Sequence, residues 1–274
     1  MHGLKGRVGI GLVCLAWLTG CSSWQGGGPK ARDGELWGRY FAAVAAAKYP
    51  DATKISRDLQ PILRSNANVR WNADQTHVLM VTWAKMQFFS DKRPGQSFQL
   101  ATDSWFSLVP EIQVFCQGYP GADLEMRLRQ RLGLPPDSEN DAFVEVWVDP
   151  SDLFRPCPDP EITDSECQTE IPGAAPTPRA SAMDQPPWTC PPGDGMQMSG
   201  AFVAVSKAHL EWMCNTWDFS YRKETKYPWT ALGYSYDWGT VTDHRGVSEY
   251  VGPKKATVEF KALIPTREYC GKPH

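Results

Sequence analysis

Six cysteines beyond residue 100 limit the folds open to this chain more than any other feature. They are Cys116, Cys157, Cys167, Cys190, Cys214 and Cys270. In an exported protein an even number of widely spaced cysteines is typical of a disulfide framework, here three bonds with fifteen possible connectivities. Spacing favours one bond, Cys157 with Cys167, because the short loop between them is rich in turn residues and closes at small entropic cost.

The same cysteines do not form a metal-binding pattern. No two of them have the C-x-x-C spacing. His209 and Cys214 lie near each other in sequence, but they supply only two of the four ligands that a structural zinc site needs. We therefore predict disulfides, with no metal and no cofactor.

Residues 1–20 have the composition of a secretory signal peptide. Lys5 and Arg7 form a short basic start, and an apolar stretch runs from Val8 to Leu18. That stretch is shorter than the roughly 20 residues of a membrane-spanning helix. Small residues follow it, in the order expected before a cleavage site.

The next feature is the run Leu18, Thr19, Gly20 and Cys21, which resembles the lipobox of bacterial lipoproteins. The resemblance implies cleavage before Cys21, a diacylglyceryl group on its sulfur and acylation of its new amino group. Such chains anchor a protein stably, since each buried CH₂ contributes about 0.8 kcal/mol. Ser22 implies the outer membrane, because retention at the inner membrane usually needs Asp there. The resemblance covers only the first two dozen residues, and no family is recognised in the rest.

The whole chain of 274 residues has a globular composition, 42% hydrophobic and 12% aromatic. Its 28 basic and 31 acidic residues include no basic tract, which argues against a nucleic-acid binder. We predict a lipidated tether at 21–34 and a single domain at 35–274. Within that domain, residues 150–198 should form an irregular Pro/Cys-rich insertion, because 11 of the 23 prolines lie between Pro150 and Pro192.

The hydrophobic pattern predicts an α+β fold with a mainly antiparallel sheet and a few packed helices. Helical spacing of apolar residues predicts helices at 35–48, 53–63 and 123–132. Alternation and apolar runs predict strands at 78–83, 143–148 and 257–264. The strand at 143–148 is expected to be half-buried, and residues 112–116 are expected to be extended.

Aromatic residues concentrate near the C-terminus and mark a candidate ligand surface. This surface consists of Trp229, Tyr234, Tyr236, Asp237 and Trp238. If residues 233–239 are extended, Tyr234, Tyr236 and Trp238 share one face, where their rings could stack on sugars while Asp237 binds hydroxyl groups. The alternative is that the rings belong to the core, as aromatic residues in strands usually do.

Two arginines form a second candidate contact. Arg127 and Arg131 lie one turn apart on the predicted helix at 123–132, so they share a face. That face could meet anionic lipid headgroups or an acidic partner. The alternative is a solvated surface partly paired with Glu125.

The sequence contains no catalytic signature. The segment from Gly233 to Asp237 falls short of the G-x-S-x-G motif because its final glycine is replaced. There is no P-loop, dinucleotide fingerprint or H-E-x-x-H motif. His77 and His209 are each isolated in sequence, so catalytic residues stay unassigned.

These observations favour a binding or structural module over an enzyme. We expect a lipid-anchored protein of the cell envelope whose body faces the periplasm and contacts peptidoglycan, a polysaccharide or another envelope protein. The alternative is a lipid-tethered hydrolase of envelope polymers, which would need a cleft with convergent carboxylates.

Overall fold

The computed structural model describes residues 29–172, 184–190, 205–223 and 226–272. The predicted signal peptide and Cys21 lie outside these ranges. The helices of the described part are α1 (Pro29–Ala47), α2 (Val109–Gly118), α3 (Leu124–Arg131), α4 (Lys207–Tyr221) and α5 (Thr266–Tyr269). The strands are β1 (Val78–Ala84), β2 (Ser97–Gln99), β3 (Ser104–Leu108), β4 (Ala142–Val148), β5 (Tyr234–Tyr236), β6 (Arg245–Ser248), β7 (Tyr250–Gly252) and β8 (Thr257–Pro265). None of these helices has both the length and the apolar character needed to cross a membrane.

Six strands pair in an antiparallel sheet with the order β2-β8-β4-β1-β3-β7. At its centre β1 and β4 pair along their whole length, from Val78 opposite Val148 to Ala84 opposite Ala142. The short strands β5 and β6 pair separately. The predicted α+β class with a mainly antiparallel sheet is therefore confirmed.

Strand β4 is buried on both faces, so the prediction of a half-buried strand is wrong. Val144, Val146 and Val148 pack on one face against β1, β3 and β8 residues. Phe143 and Trp147 pack on the other face, beneath apolar residues of α2 and α3. A central strand has no solvent-facing side once both faces of its sheet are covered.

The helix predicted at 123–132 is confirmed as α3. The Asp123 carboxylate caps its start by accepting the Met126 backbone N–H at 3.1 Å. Leu124 and Leu128 are buried against the sheet. Gly133 follows the helix with φ of 66°, the left-handed conformation that favours glycine at a helix end.

Helix α1 is longer than predicted at its start. It begins at Pro29 and not at Glu35, so part of the predicted tether at 21–34 is helical. Proline is favourable in the first turn of a helix, because it has no N–H to leave unpaired there. Tyr40, Ala43, Val44 and Ala47 form the buried stripe of α1 and pack with α4 residues in an aromatic-rich core.

Residues 112–116 are helical within α2, so the prediction of an extended segment is wrong. Val109, Ile112 and Cys116 recur at helical spacing, and all three are buried against the sheet. The β-branched residues in this stretch favour strands only weakly, and tertiary packing overrides that preference.

The helix predicted at 53–63 is also absent. Only Ala52–Lys54 form a 3-10 turn. The backbone N–H groups of Leu59 and Ile62 donate to the carbonyls of Ser165 and Ile162, at 3.0 and 2.7 Å. This stretch of chain therefore pairs with the Pro/Cys-rich insertion at two positions, which hold it in a non-helical path.

All six cysteines beyond residue 100 are paired. The bonds are Cys116–Cys270, Cys157–Cys167 and Cys190–Cys214, with Cα separations of 5.3, 6.2 and 5.9 Å. The favoured pairing of Cys157 with Cys167 is confirmed. The first bond ties α2 to the residue after α5, the second closes a loop of the Pro/Cys-rich insertion, and the third ties the insertion to α4.

Candidate functional site

The five residues of the candidate ligand surface lie in the interior, so the alternative that these rings belong to the core holds and the exposed aromatic face does not. Trp229, Tyr234, Tyr236 and Trp238 are between 2% and 8% exposed, and Asp237 is fully buried. Only Tyr234–Tyr236 are in a strand, β5. Trp229, Tyr236 and Trp238 pack in the core shared with α1 and α4.

The polar groups of these side chains also have internal partners. Trp229 Nε1 donates to the carbonyl of Pro156 at 3.1 Å. The Tyr234 hydroxyl donates to the Lys54 carbonyl at 2.8 Å, and Trp238 Nε1 donates to Leu134 at 3.0 Å. Buried Tyr and Trp need such partners, because an unpaired donor in the interior is costly. These residues therefore organise the core and offer no free face to a sugar.

Asp237 binds the two arginines that were candidates for a lipid or partner contact. Arg127 donates to both carboxylate oxygens of Asp237, and Arg131 Nη1 lies 3.3 Å from one of them. The guanidinium groups of Arg127 and Arg131 also lie over the ring of Phe115, at 4.8 and 4.9 Å. The charge of these two residues is therefore used inside the protein, a role that neither the partner hypothesis nor the alternative of a solvated face paired with Glu125 described.

A pocket of about 80 Å³ lies between the sheet and α2. Its lining combines residues of β1, β3, β4, α2 and the segment after α3 with one acid beyond β6: Val81–Trp83, Trp105–Ser107, Ile112, Leu132, Leu134, Phe143 and Glu249. Most of this lining is apolar, and four of its side chains are aromatic. An apolar pocket with a single convergent acidic group has the composition of a small-molecule site.

Glu249 reaches the pocket because of its place between two strands. It follows β6 and immediately precedes Tyr250, which pairs with Phe106 of β3. Its backbone N–H donates to the carbonyl of Gly233 at 2.9 Å. Among the described residues, no hydrogen bond or ion pair is formed by its carboxyl group, which keeps accessible surface where the residue lines the pocket.

Burial and the nearby negative charge of Glu111 both raise the pKa of Glu249. Desolvation, followed by repulsion from Glu111, raises its pKa to about 8. Both effects disfavour the ionised form. The carboxyl group is therefore mostly protonated at pH 7.

Glu111 in the first turn of α2 is the second acid of this region. Its Oε1 accepts the backbone N–H of Ser248 at 2.9 Å and the Ser248 hydroxyl at 3.3 Å. Its Oε2 is buried without a hydrogen-bond partner. Desolvation raises the Glu111 pKa, and the positive charges of Arg131 and Arg155 oppose that shift. Glu111 thus joins α2 to β6 and adds negative potential beside Glu249.

The structure gives no support to the isolated histidines as catalytic or metal-binding groups. His209 Nε2 lies 2.8 Å from the carbonyl of Cys157, and burial lowers the pKa of its ring. Its sequence neighbour Cys214 is oxidised in a disulfide with Cys190. Within the described ranges, no three His, Cys, Asp or Glu residues come together in a way that could hold a metal ion.

A second depression is larger and polar. A surface groove of about 460 Å³ is lined by residues 57–61, Leu63, Ser65, Asn66 and Ser165. Its amides are engaged with each other, since Gln60 Oε1 accepts hydrogen bonds from Asn66 and Asn68. The amide groups of this groove are therefore already engaged in hydrogen bonds within the protein.

The sequence analysis missed Glu249 and Glu111. A signal for Glu249 exists in the alternation of Val247, Glu249 and Val251, because an acid occupies a position whose neighbours on the same side of the chain are buried valines. Nothing comparable marks Glu111, whose partner Ser248 lies 137 residues away.

Comparison with known proteins adds no family assignment. No protein-family model, no curated protein and no solved structure matches this chain. The candidate site therefore has to be interpreted from its own geometry.

Proposed function

We propose that this chain is a lipid-anchored protein of the bacterial cell envelope and that its folded body is a small-molecule binding module. The signal-like residues 1–20 and the lipobox-like run ending at Cys21 support the anchor. Pairing of all six downstream cysteines supports export, because disulfides persist in oxidising compartments. Ser22 favours the outer membrane, with the body in the periplasm.

The observation that carries the binding function is the unpartnered carboxyl group of Glu249 in an aromatic-lined pocket. A partly buried acid without a partner in a mostly apolar lining costs solvation free energy, and a ligand that binds its carboxyl group would offset that cost. The same pocket contains Trp83 and Trp105, whose indole groups supply spectroscopic reporters.

Binding is tested by NMR on the purified full chain in detergent. The indole signals of Trp83 and Trp105 are followed while small alcohols, amides, carboxylates and amines are added separately. We expect one chemical class to shift these two signals and to leave Trp71, which lies beneath Arg64 and does not line the pocket, unchanged. Indole signals unmoved by every class would overturn the binding function.

The anchor is tested by replacing Cys21 with Ser. We expect loss of labelling by a fatty-acid probe and release of the protein into the soluble fraction. Cys14→Ser is the matched control, because it changes a cysteine inside the predicted signal and should leave labelling intact. Membrane attachment that persists in Cys21→Ser would contradict the proposed anchor.

One observation favours the alternative of a hydrolase. A carboxyl group with a pKa of about 8 in an apolar pocket could act as a general acid near neutral pH. Against this, glycoside hydrolysis needs two carboxyl groups flanking the bond, and Glu111 is bonded to Ser248 and does not line the pocket. Release of soluble fragments from peptidoglycan by the wild type, with none from Glu249→Gln, would favour the hydrolase.

A further inference from the structure

The pocket at Glu249 lacks a counter-charge of its own. Glu111 is the titratable group that acts on Glu249, and its charge has the same sign. Arg131 and Arg155 act on Glu111, but their guanidinium groups bind Asp237 and the carbonyls of Glu161 and Asp164. Ionised Glu249 therefore has no neutralising cation among the described residues.

Two carboxyl groups in this region determine which ligand charge the pocket favours. An anion would meet the negative charge of Glu111 and would further oppose ionisation of Glu249, so it is disfavoured. A divalent metal ion would need about six oxygen ligands, and the pocket lining supplies one carboxylate. A monovalent organic cation needs only one counter-ion, and aromatic faces add cation–π attraction.

The volume of the pocket sets the size of that cation. The space in the pocket measures about 80 Å³. A cavity that admits benzene is about twice as large. The pocket therefore fits the tip of a primary amine on a methylene stem and excludes a sugar ring.

We propose that the pocket binds the primary ammonium group of an alkylamine, with Glu249 as its counter-ion and Trp83, Trp105 and Phe143 around its methylene stem. The inference rests on the proposed binding function and names its ligand. When the cation enters, the Glu249 carboxyl group releases its proton to solvent, so the occupied pocket holds one positive and one negative charge. The displaced proton balances the charge that enters.

The test compares propylammonium with 1-propanol, which has nearly the same shape and no charge. Binding to the full chain is measured by the Trp83 and Trp105 indole signals and by calorimetry in two buffers of different ionisation enthalpy. We expect propylammonium to bind at least tenfold more tightly and to release about one proton per site below pH 7. Its affinity should rise about tenfold per pH unit up to the pKa of about 8 and then level off, because only ionised Glu249 binds it.

Variants locate the counter-ion. Glu249→Gln should weaken propylammonium binding at least tenfold at pH 8. Glu139→Gln is the matched control, because Glu139 is an exposed acid paired with Lys85. This variant should bind propylammonium as tightly as the wild type does. If Glu249→Gln does not fold, the pH dependence and proton release of the wild type still decide the question.

The possible outcomes separate the two proposals. Equal binding of 1-propanol, or propylammonium binding without proton release, would overturn the ammonium site and leave a neutral-ligand pocket. Absence of binding by every class of small molecule would overturn the binding function itself. Two competitors distinguish the possible sources of the ammonium group. O-phosphoethanolamine represents a lipid headgroup, and an Nα-acetylated lysine amide represents a protein side chain. Displacement by either supports the proposal, and displacement by neither assigns the site to a small free amine.

Discussion

Both terminal guanidinium nitrogens of Arg127 bind the Asp237 carboxylate, at 2.8 and 2.6 Å. The two residues are 110 positions apart in the sequence, so the ion pair fixes α3 against the segment that follows β5. Gly239 N–H donates to the same carboxylate at 2.9 Å. Arg131 adds a third basic contact and donates to the Arg245 carbonyl at 2.8 Å. A fully buried charge is tolerated here because its hydrogen-bonding capacity is satisfied on all sides.

Asp237→Asn should lower the free energy of unfolding by about 3–5 kcal/mol, because it leaves the Arg127 charge without its buried partner. Urea unfolding at pH 7 in buffer without reductant or added oxidant measures the loss of stability. Asp243→Asn is the matched control: Asp243 pairs with Arg245 at 2.9 Å on the surface, and its loss should cost less than about 1 kcal/mol. Equal losses for the two variants would contradict a structural role for the buried pair.

The parts of the fold that the sequence predicted are those whose pattern is local. The strand ending at Val148 alternates between two buried faces, and the helix from Leu124 to Arg131 has a capping Asp123 and a terminating Gly133. Cys157 and Cys167 are close in sequence and close a loop of turn residues. In each case neighbouring residues carry the information, so one sequence is enough to interpret it.

The parts that could not be predicted depend on distant partners. Leu59 and Ile62 are held in a non-helical path by carbonyls about 100 residues away. The C-terminal rings have the alternation of an exposed strand face, yet Trp238 is buried because α1 packs over it, with Tyr40 5.8 Å away. Periodicity shows which residues share a face, but the elements that cover that face are set by tertiary packing.

Gly246→Ala should destabilise the protein by about 1–3 kcal/mol, because an added Cβ would clash with Ser235 and would lie 2.6 Å from the Arg131 carbonyl. Backbone atoms cannot move aside as a flexible side chain can. Gly38→Ala is the opposite control, since no atom lies within 4 Å of the new Cβ in α1. It should raise stability by roughly 0.5–1 kcal/mol through helix propensity. Thermal unfolding of both variants checks the difference in sign, and a stable Gly246→Ala would refute the close approach.

Removal of the Cys116–Cys270 bond should cost more than removal of Cys157–Cys167. The bonds span 154 and 10 residues, so the loop-closure model gives about 5 and about 3 kcal/mol. The comparison is matched, because all four cysteines are at most 1% exposed and the double Ala variants remove similar buried groups. Denaturant unfolding without reductant measures both. The reverse order of stability would show that strain or residual structure outweighs loop entropy.

Glu249→Gln should make the protein more stable than the wild type at high pH and change little at acid pH. The folded-state pKa of about 8 lies above the ordinary value of 4.5, so folded Glu249 holds its proton where the unfolded chain has lost it. The contribution of Glu249 to the free energy of unfolding of the wild type is therefore fully present below about pH 4.5. It decreases as the pH rises to about 8. The slope is at most about 1.4 kcal/mol per pH unit for one proton.

Glu111 and Glu145 also have raised pKa values from burial, so the difference in stability between Glu249→Gln and the wild type isolates the effect of Glu249. Urea unfolding at each pH from 5 to 9 gives that difference, which should grow steadily and level off above about pH 8. A stability difference that is constant with pH would contradict a raised Glu249 pKa. Addition of propylammonium should reduce the stability difference at pH 8, because the ligand stabilises only the wild type.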